Sequence, residues 1–193
     1  MGPGELEETP RALKVRAFFG LPVPDPHREE LGRFIARCAQ LAPDFRWTPS
    51  ENLHLTIRFV GSVERAVVEG VADGLEGAYA GFELSLGGDT GTFGRGRSAR
   101  VVWLGLDAGA DEAAALAASV DAACRQAGLA GEDRPFRVHL TLARARSRDG
   151  SKLPDLPAAP ALSSWRAGEL VLYSSRLTRS GAIYEPLRIL PLT

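Results

Sequence analysis

The hexapeptide His54-Leu55-Thr56-Ile57-Arg58-Phe59 returns 85 residues later as His139-Leu140-Thr141-Leu142-Ala143-Arg144, and no other feature constrains this chain of 193 residues so tightly. Each copy follows a segment with helical spacing and lies in a run that reads as a strand. A helix-and-strand unit repeated at that distance implies two copies of one half-fold, hence two lobes related by a pseudo-twofold axis.

The remaining segments fit that plan. Leu13 to Gly20 alternates, with Leu13, Val15, Ala17 and Phe19 on one face and Lys14, Arg16, Phe18 and Gly20 on the other, which makes a strand with one buried side. Asp25-Pro26 starts a helix, Asp25 as N-cap, and Leu31, Phe34, Ile35, Cys38 and Leu41 recur at helical spacing until Pro43. Trp47 to Glu51 is a turn leading into the strand Leu53 to Val60. Val63 to Ala80 reads as a helix weakened by Gly70, Gly74 and Gly77. Phe82 to Leu86 and Ala99 to Leu106 read as strands around a glycine-rich loop. Asp111 to Gly128 has acidic residues in its first turn and glycine at its end, a helix again. Arg137 to Ala145 is a strand, residues 147–161 form a Pro-rich connection, and Glu169 to Leu177 and Ile183 to Leu192 form a closing hairpin across Arg179-Ser180-Gly181. Strands joined by short turns favour antiparallel pairing. The expected class is α+β: a single bilobal domain over 1–193, its largely antiparallel sheets lining a central cleft, helices outside, and 1–12 a loose tail.

Composition narrows the function. A hydrophobic content of 45% supplies a core for a domain of this size. No run of about eighteen apolar residues spans a membrane, and Glu5, Glu7 and Glu8 stand where a secretory signal needs basic and apolar residues, so the expected compartment is the cytoplasm. Cys38 and Cys124 fall in helices among apolar neighbours, as small hydrophobes do. A net charge of −1 argues against coating long nucleic acid through many phosphate contacts. No obligate protein partner is indicated, and the chain is expected to act as a monomer.

In a strand, residues i and i+2 share a face, so His54 projects with Thr56 and His139 with Thr141, while Leu55, Ile57, Leu140 and Leu142 point into apolar packing. If the lobes face each other, two imidazoles and two hydroxyls converge. With an ordinary pKa of about 6.5, one histidine can accept a proton while the other donates one. Opening a cyclic phosphodiester with water needs that division: a base for the attacking water, an acid for the departing ribose oxygen, and hydroxyl donors for the non-bridging oxygens. A zinc site would want further His, Cys or carboxylate ligands, so neither metal nor cofactor is expected. His27, at a helix start without such a companion, is expected to face solvent.

These motifs and their surroundings resemble the 2H phosphoesterase superfamily, in particular the RNA 2′,3′-cyclic phosphodiesterases, also called 2′-5′ RNA ligases. The likeness runs through Val15 to Leu21, Trp47 to Thr56, Phe59-Val60-Gly61, Val101 to Gly105, Phe136 to Arg144 and Tyr173 to Leu177, with Gly181 and Tyr184. It implies hydrolysis of an RNA-terminal 2′,3′-cyclic phosphate to a 2′-phosphate, and in some members reversible 2′-5′ ligation, with RNA ends or cyclic nucleotides as substrates. By that resemblance His54 is the general acid on the leaving 3′ oxygen, His139 the base that activates water, and Thr56 and Thr141 phosphate ligands. Arg144 matches an arginine expected near the phosphate, although its odd spacing puts it on the face opposite His139 unless the strand bulges. Phe18 occupies the family's aromatic position, where it is expected either to stack on the terminal base or to pack in the interior. Arg58, sharing the face of His54 and Thr56, is expected to add positive potential to the cleft or to reach solvent. The family usually carries proline directly before the second histidine, where this chain has Val138. A non-catalytic nucleotide-binding module would use the same cleft, but two complete motifs favour turnover.

Overall fold

The computed structural model describes residues 13–178 and 181–193, with backbone only at 88 and 89; the expected tail and the middle of the last turn lie outside the described residues. The strands are β1 (Lys14–Pro22), β2 (Phe45–Trp47), β3 (His54–Glu64), β4 (Phe82–Arg95), β5 (Ser98–Ala108), β6 (Leu140–Ala145), β7 (Ser151–Lys152), β8 (Trp165–Ala167), β9 (Glu169–Leu177) and β10 (Ala182–Pro191). The helices are α1 (Asp25–Leu41), α2 (Arg65–Leu75) and α3 (Ala110–Gln126), with a 3-10 turn at Ser50–Asn52.

Most boundaries follow the pattern reading, and the differences have local causes. Asp25 is the first residue of α1 rather than its cap, which is Pro24. β3 runs on to Glu64 and α2 ends at Leu75, so the expected helix over 63–80 is shorter at both ends. The glycine-rich stretch after Leu86 continues β4 to Arg95 instead of looping, because β5 pairs along its whole length, with register shifts absorbing the irregular residues. One of those glycines is required: Gly91 lies opposite Trp103, and a Cβ there would stand 2.0 Å from the indole.

All pairings are antiparallel, in the order β10-β9-β1-β3-β6-β5-β4-β8. The order reads alike from both ends. β3 and β6 meet at the centre, β1 and β5 flank them, and the two outer pairs complete each half. The expected lobes are therefore halves of one continuous sheet. The 85-residue offset that relates His54 to His139 also relates the bounds of α1 to those of α3, and Phe18 to Trp103, so the repeat extends far beyond the hexapeptides.

Each copy's helix crosses to the other. α3 packs on β3, whereas α1 packs on β2, the partner of β6, and its His27 lies against Trp165 of β8. Leu55, Ile57, Leu140 and Leu142 join Leu31 and Phe34 of α1 and Leu116 and Val120 of α3 in one buried cluster. Burying such side chains contributes about 1.5–3 kcal/mol each, and here it clamps the two copies together. Cys38 and Cys124 are free and buried in that cluster. His27 is also buried, contrary to the expectation of solvent exposure, because its Nε2 donates to the Ser163 carbonyl at 2.8 Å.

Candidate active site

The centre of the sheet fixes the site. Leu55 and Leu140 are partners across β3 and β6, and antiparallel register carried one residue further sets His54 opposite Thr141 and Thr56 opposite His139. Leu55 and Leu140 point into the core, so all four polar side chains stand on the other face. Directly opposed residues have Cβ atoms about 4.5–5.5 Å apart, and the diagonal pair, here the two histidines, stands roughly 7–8 Å apart. That span suits one phosphate held between two rings.

Both imidazoles are oriented in the same way. His54 Nδ1 donates to the Asn52 carbonyl and His139 Nδ1 to the Arg137 carbonyl, each at 2.7 Å and each two residues upstream. A carbonyl only accepts, so Nδ1 carries hydrogen in both rings and Nε2 is left as the proton-transfer atom. In the neutral ring His54 Nε2 accepts from the Thr56 hydroxyl at 3.0 Å. The Asn52 amide in turn donates to the Ala182 carbonyl at 2.8 Å, tying the turn that orients His54 to β10.

Burial, with the Arg144 and His139 charges adding to it and the Asn52 carbonyl opposing, holds the His54 pKa down to about 4. Burial also lowers His139, and Arg144 adds to that. Burial first, with Arg144 adding to it, leaves both imidazoles neutral at pH 7 and poised to gain protons when an anion enters between them.

Arg144 reaches this face because β6 bulges. Against β5, Thr141 pairs with Trp103 but Ala143 pairs with Val102, so Leu142 is an extra residue; Leu142 and Ala143 both turn inward and Arg144 emerges on the side of His139. The odd spacing is thus accommodated. The same event occurs in β3, where Ile57 is extra against β1, with the opposite consequence for Arg58. Arg58 turns inward beside Ile57, 7% exposed, and its Nε pairs with Asp121 of α3 at 2.7 Å. It also donates to the Phe59 and Ala130 carbonyls. It therefore neither charges the cleft nor reaches solvent, and instead fastens α3 to β3.

Phe18 takes the buried of its two expected places. Its ring is 3% exposed, packed against His54 at 4.7 Å and against Tyr173 and Tyr184 at 5.0 Å each, so it backs the His54 imidazole and leaves almost no surface for a base. The half-buried Tyr173 and Tyr184 form the aromatic border on that flank. On the other flank, Phe93 and Trp103 border His139 at 5.0 and 6.3 Å. Motif spacing overlooked these two rings. The 85-residue offset from Phe18 to Trp103 would have found the second. The same offset matches Arg144 to Phe59, an exposed ring over which the Arg16 guanidinium lies at 4.6 Å. Among the described residues no group of three His, Cys, Asp or Glu stands together to hold a metal.

Two imidazoles, two hydroxyls and a guanidinium thus share one sheet face, a set of groups chemically suited to proton transfer and anion binding. The sequence pattern of the LigT like Phosphoesterase family matches twice, over residues 21–103 and 104–184, once for each copy of the repeat. The chain belongs to that family. An RNA 2′,3′-cyclic phosphodiesterase of Methanothermobacter thermautotrophicus is 31% identical over 188 residues, covering 93% of this chain and all of the relative. One from Escherichia coli K12 is 32% identical over 92% of this chain and 97% of its own length. The crystal structure of E. coli LigT complexed with 3′-AMP superimposes with a TM-score of 0.78 at 30% identity, over 94% of this chain and 99% of that one.

Proposed function

We propose that this chain is an RNA 2′,3′-cyclic phosphodiesterase that needs no metal, opening a terminal cyclic phosphate to a 2′-phosphomonoester. The observation that carries the reading is the Leu55–Leu140 register, which sets each histidine across from the other motif's threonine. The cyclic diester's anionic oxygens are held by Arg144 and by the Thr56 and Thr141 hydroxyls, Thr56 giving up its bond to His54 Nε2 as it does so. His139 Nε2 takes a proton from water as the water oxygen attacks phosphorus. The P–O3′ bond breaks, and His54 Nε2, which takes up a proton from solvent as the anionic diester binds, gives that proton to O3′. A 5′-hydroxyl in place of water yields a 2′-5′ phosphodiester by the same transfers. The related phosphodiesterases support this substrate class. All the groups come from one chain, which supports action as a monomer, and RNA ends as substrates favour the cytoplasm. Among the described residues no helix is long and apolar enough to cross a membrane.

The test is turnover of a short RNA ending in a 2′,3′-cyclic phosphate, in chelator, with product analysis. The 2′-phosphate should be the product, and His54→Ala and His139→Ala should each lower kcat/KM by about 10²–10⁴-fold. A 3′-phosphate product would mean that O2′, not O3′, is the oxygen that leaves. Tight nucleotide binding without turnover would make the chain a binding module instead.

A further inference from the structure

One guanidinium on the face of the site has no part in the hydrolysis above. Arg16 of β1 is exposed and lies over the exposed ring of Phe59 at 4.6 Å. Among the described residues no carboxylate forms an ion pair with it, whereas Arg176 of β9 pairs with Glu185. We propose that Arg16 is a second phosphate-binding group, holding the phosphodiester on the 5′ side of the nucleotide that bears the cyclic phosphate. The assignment rests on the hydrolase reading above and adds a preference to it, for a cyclic phosphate at the end of an RNA strand over the same group on a lone nucleoside.

The sheet sets its position. β1 lies beyond β3 on the same side as β9 and β10, so Arg16 shares the His54 flank with Tyr173 and Tyr184. Phe18, whose ring is 4.7 Å from that of His54, stands two residues along β1 from Arg16, hence on the same face and about 7 Å away. Tyr184 pairs with Ser175 and Ala17 with Ser174, and register carried one residue further sets Arg16, Ser175 and Tyr184 in one row on that face. Burial raises the Tyr184 pKa, and the charges of Arg144 and Arg16 both oppose that rise, so the two guanidiniums bear on one phenol. A cyclic phosphate is fused to its ribose through O2′ and O3′, and O3′ departs toward His54, so the ribose lies on this flank. Its C5′ carries the next phosphate of the strand, one sugar away from the reacting one, where Arg16 stands as an unpaired cation.

The repeat singles out the same residue. The offset of 85 residues relates Arg16 to Val101 and Phe59 to Arg144, and Val101 is the partner of Arg144 across β5 and β6. Each copy therefore carries one guanidinium and one apolar side chain at these two positions, exchanged between the strands. Arg144 serves the phosphate that reacts. One phosphate leaves Arg16 without a role, and a second phosphate gives it one. Its setting suits that use: stacking on Phe59 occupies the flat face of the guanidinium and leaves the N–H groups of its edge free, two of which can donate to the oxygens of one phosphate. The Ser175 hydroxyl in the same row is a further donor. No bond forms or breaks at Arg16, so it adds binding of the strand and takes no part in proton transfer.

The experiment compares three substrates on the full chain: adenosine 2′,3′-cyclic phosphate, the same nucleotide carrying a 5′-phosphate, and the 3′-5′ dinucleotide of adenosine ending in a 2′,3′-cyclic phosphate. The wild type should favour the second and third over the first in kcat/KM. Arg16→Gln removes a charge-assisted pair of hydrogen bonds, so it should lower kcat/KM for those two about tenfold or more, chiefly through KM, and change the first by less than about twofold. Phe59→Leu keeps apolar bulk but removes the ring beneath the guanidinium, and should act in the same direction with a smaller loss. The melting temperature of each variant is recorded beside its rates. Equal losses on all three substrates in well-folded variants would place Arg16 at the reacting centre and overturn the proposal. A loss confined to the dinucleotide would assign Arg16 to the added nucleoside and not to its phosphate, and unchanged rates on all three would leave it to solvent. Either result overturns the proposal, as does a wild type indifferent to the added phosphate. In each of these cases the hydrolase reading stands. A wild type inactive on all three would overturn that reading as well.

Discussion

The two catalytic candidates are the same residue type in the same tripeptide, and their surroundings set them apart. His54 has Phe18 behind it and is held to about 4, chiefly by burial. His139 is lowered as well, but it borders Phe93 and Trp103 instead of a fully packed ring. In the acid-base scheme kcat/KM reports the groups of the enzyme before substrate binds. One imidazole must be protonated and the other not, so kcat/KM should trace a bell with both limbs below the ordinary histidine value of about 6.5. It rises as pH increases through about 4 and falls as pH increases through the His139 pKa. The bound anion favours imidazolium, so the kcat profile should shift to higher pH. Rate profiles with adenosine 2′,3′-cyclic phosphate check this, and a kcat/KM still climbing at pH 8 would contradict it. Exchanging the acid and base roles leaves the bell where it is.

At the scale of the strand, period-2 reasoning succeeded for three residues and then failed. The faces of His54, Leu55, Thr56 and of His139, Leu140, Thr141 were legible because alternation is what a regular strand imposes. One extra residue follows each motif, Ile57 in β3 and Leu142 in β6, and each reverses the face of what comes next. A single mechanism therefore displaced Arg58 from the cleft and brought Arg144 into it. Apolar patterning does not reveal such bulges, since Ile57 and Leu142 are buried and apolar, as a regular strand would also have them. Arg58 now predicts stability. Asp121→Ala strands a buried guanidinium, which should cost about 3 kcal/mol in urea unfolding, while kcat/KM of the folded enzyme stays near wild type. Arg144→Ala should do the reverse, lowering kcat/KM by roughly 10²-fold with little change in the urea midpoint, because Arg144 is exposed.

At the scale of the molecule, the order of elements and the α+β class were readable from alternation, caps and turns, and the twofold relation from the hexapeptide echo. The crossing of helices was not, because which copy a helix covers depends on packing between segments far apart in sequence. That crossing, and the seam between β3 and β6, hold the two histidines in register. Leu55 and Leu140 form the paired residues of the seam and are fully buried. Leu140→Ala should therefore cost about 2–5 kcal/mol through the cavity it leaves, and should disturb the spacing of His54 and His139 as well. Leu31→Ala, in α1 and equally buried, removes a similar side chain from outside the paired strands of the seam. Under conditions where both variants are more than nine-tenths folded, kcat/KM should fall about tenfold or more for Leu140→Ala and stay within twofold for Leu31→Ala, since misplacing reacting groups by about 1 Å costs on the order of 10²-fold. Equal activity in the two variants would mean that the strands carrying the histidines keep their register without the seam, and that the helices crossing between the copies suffice to align the site.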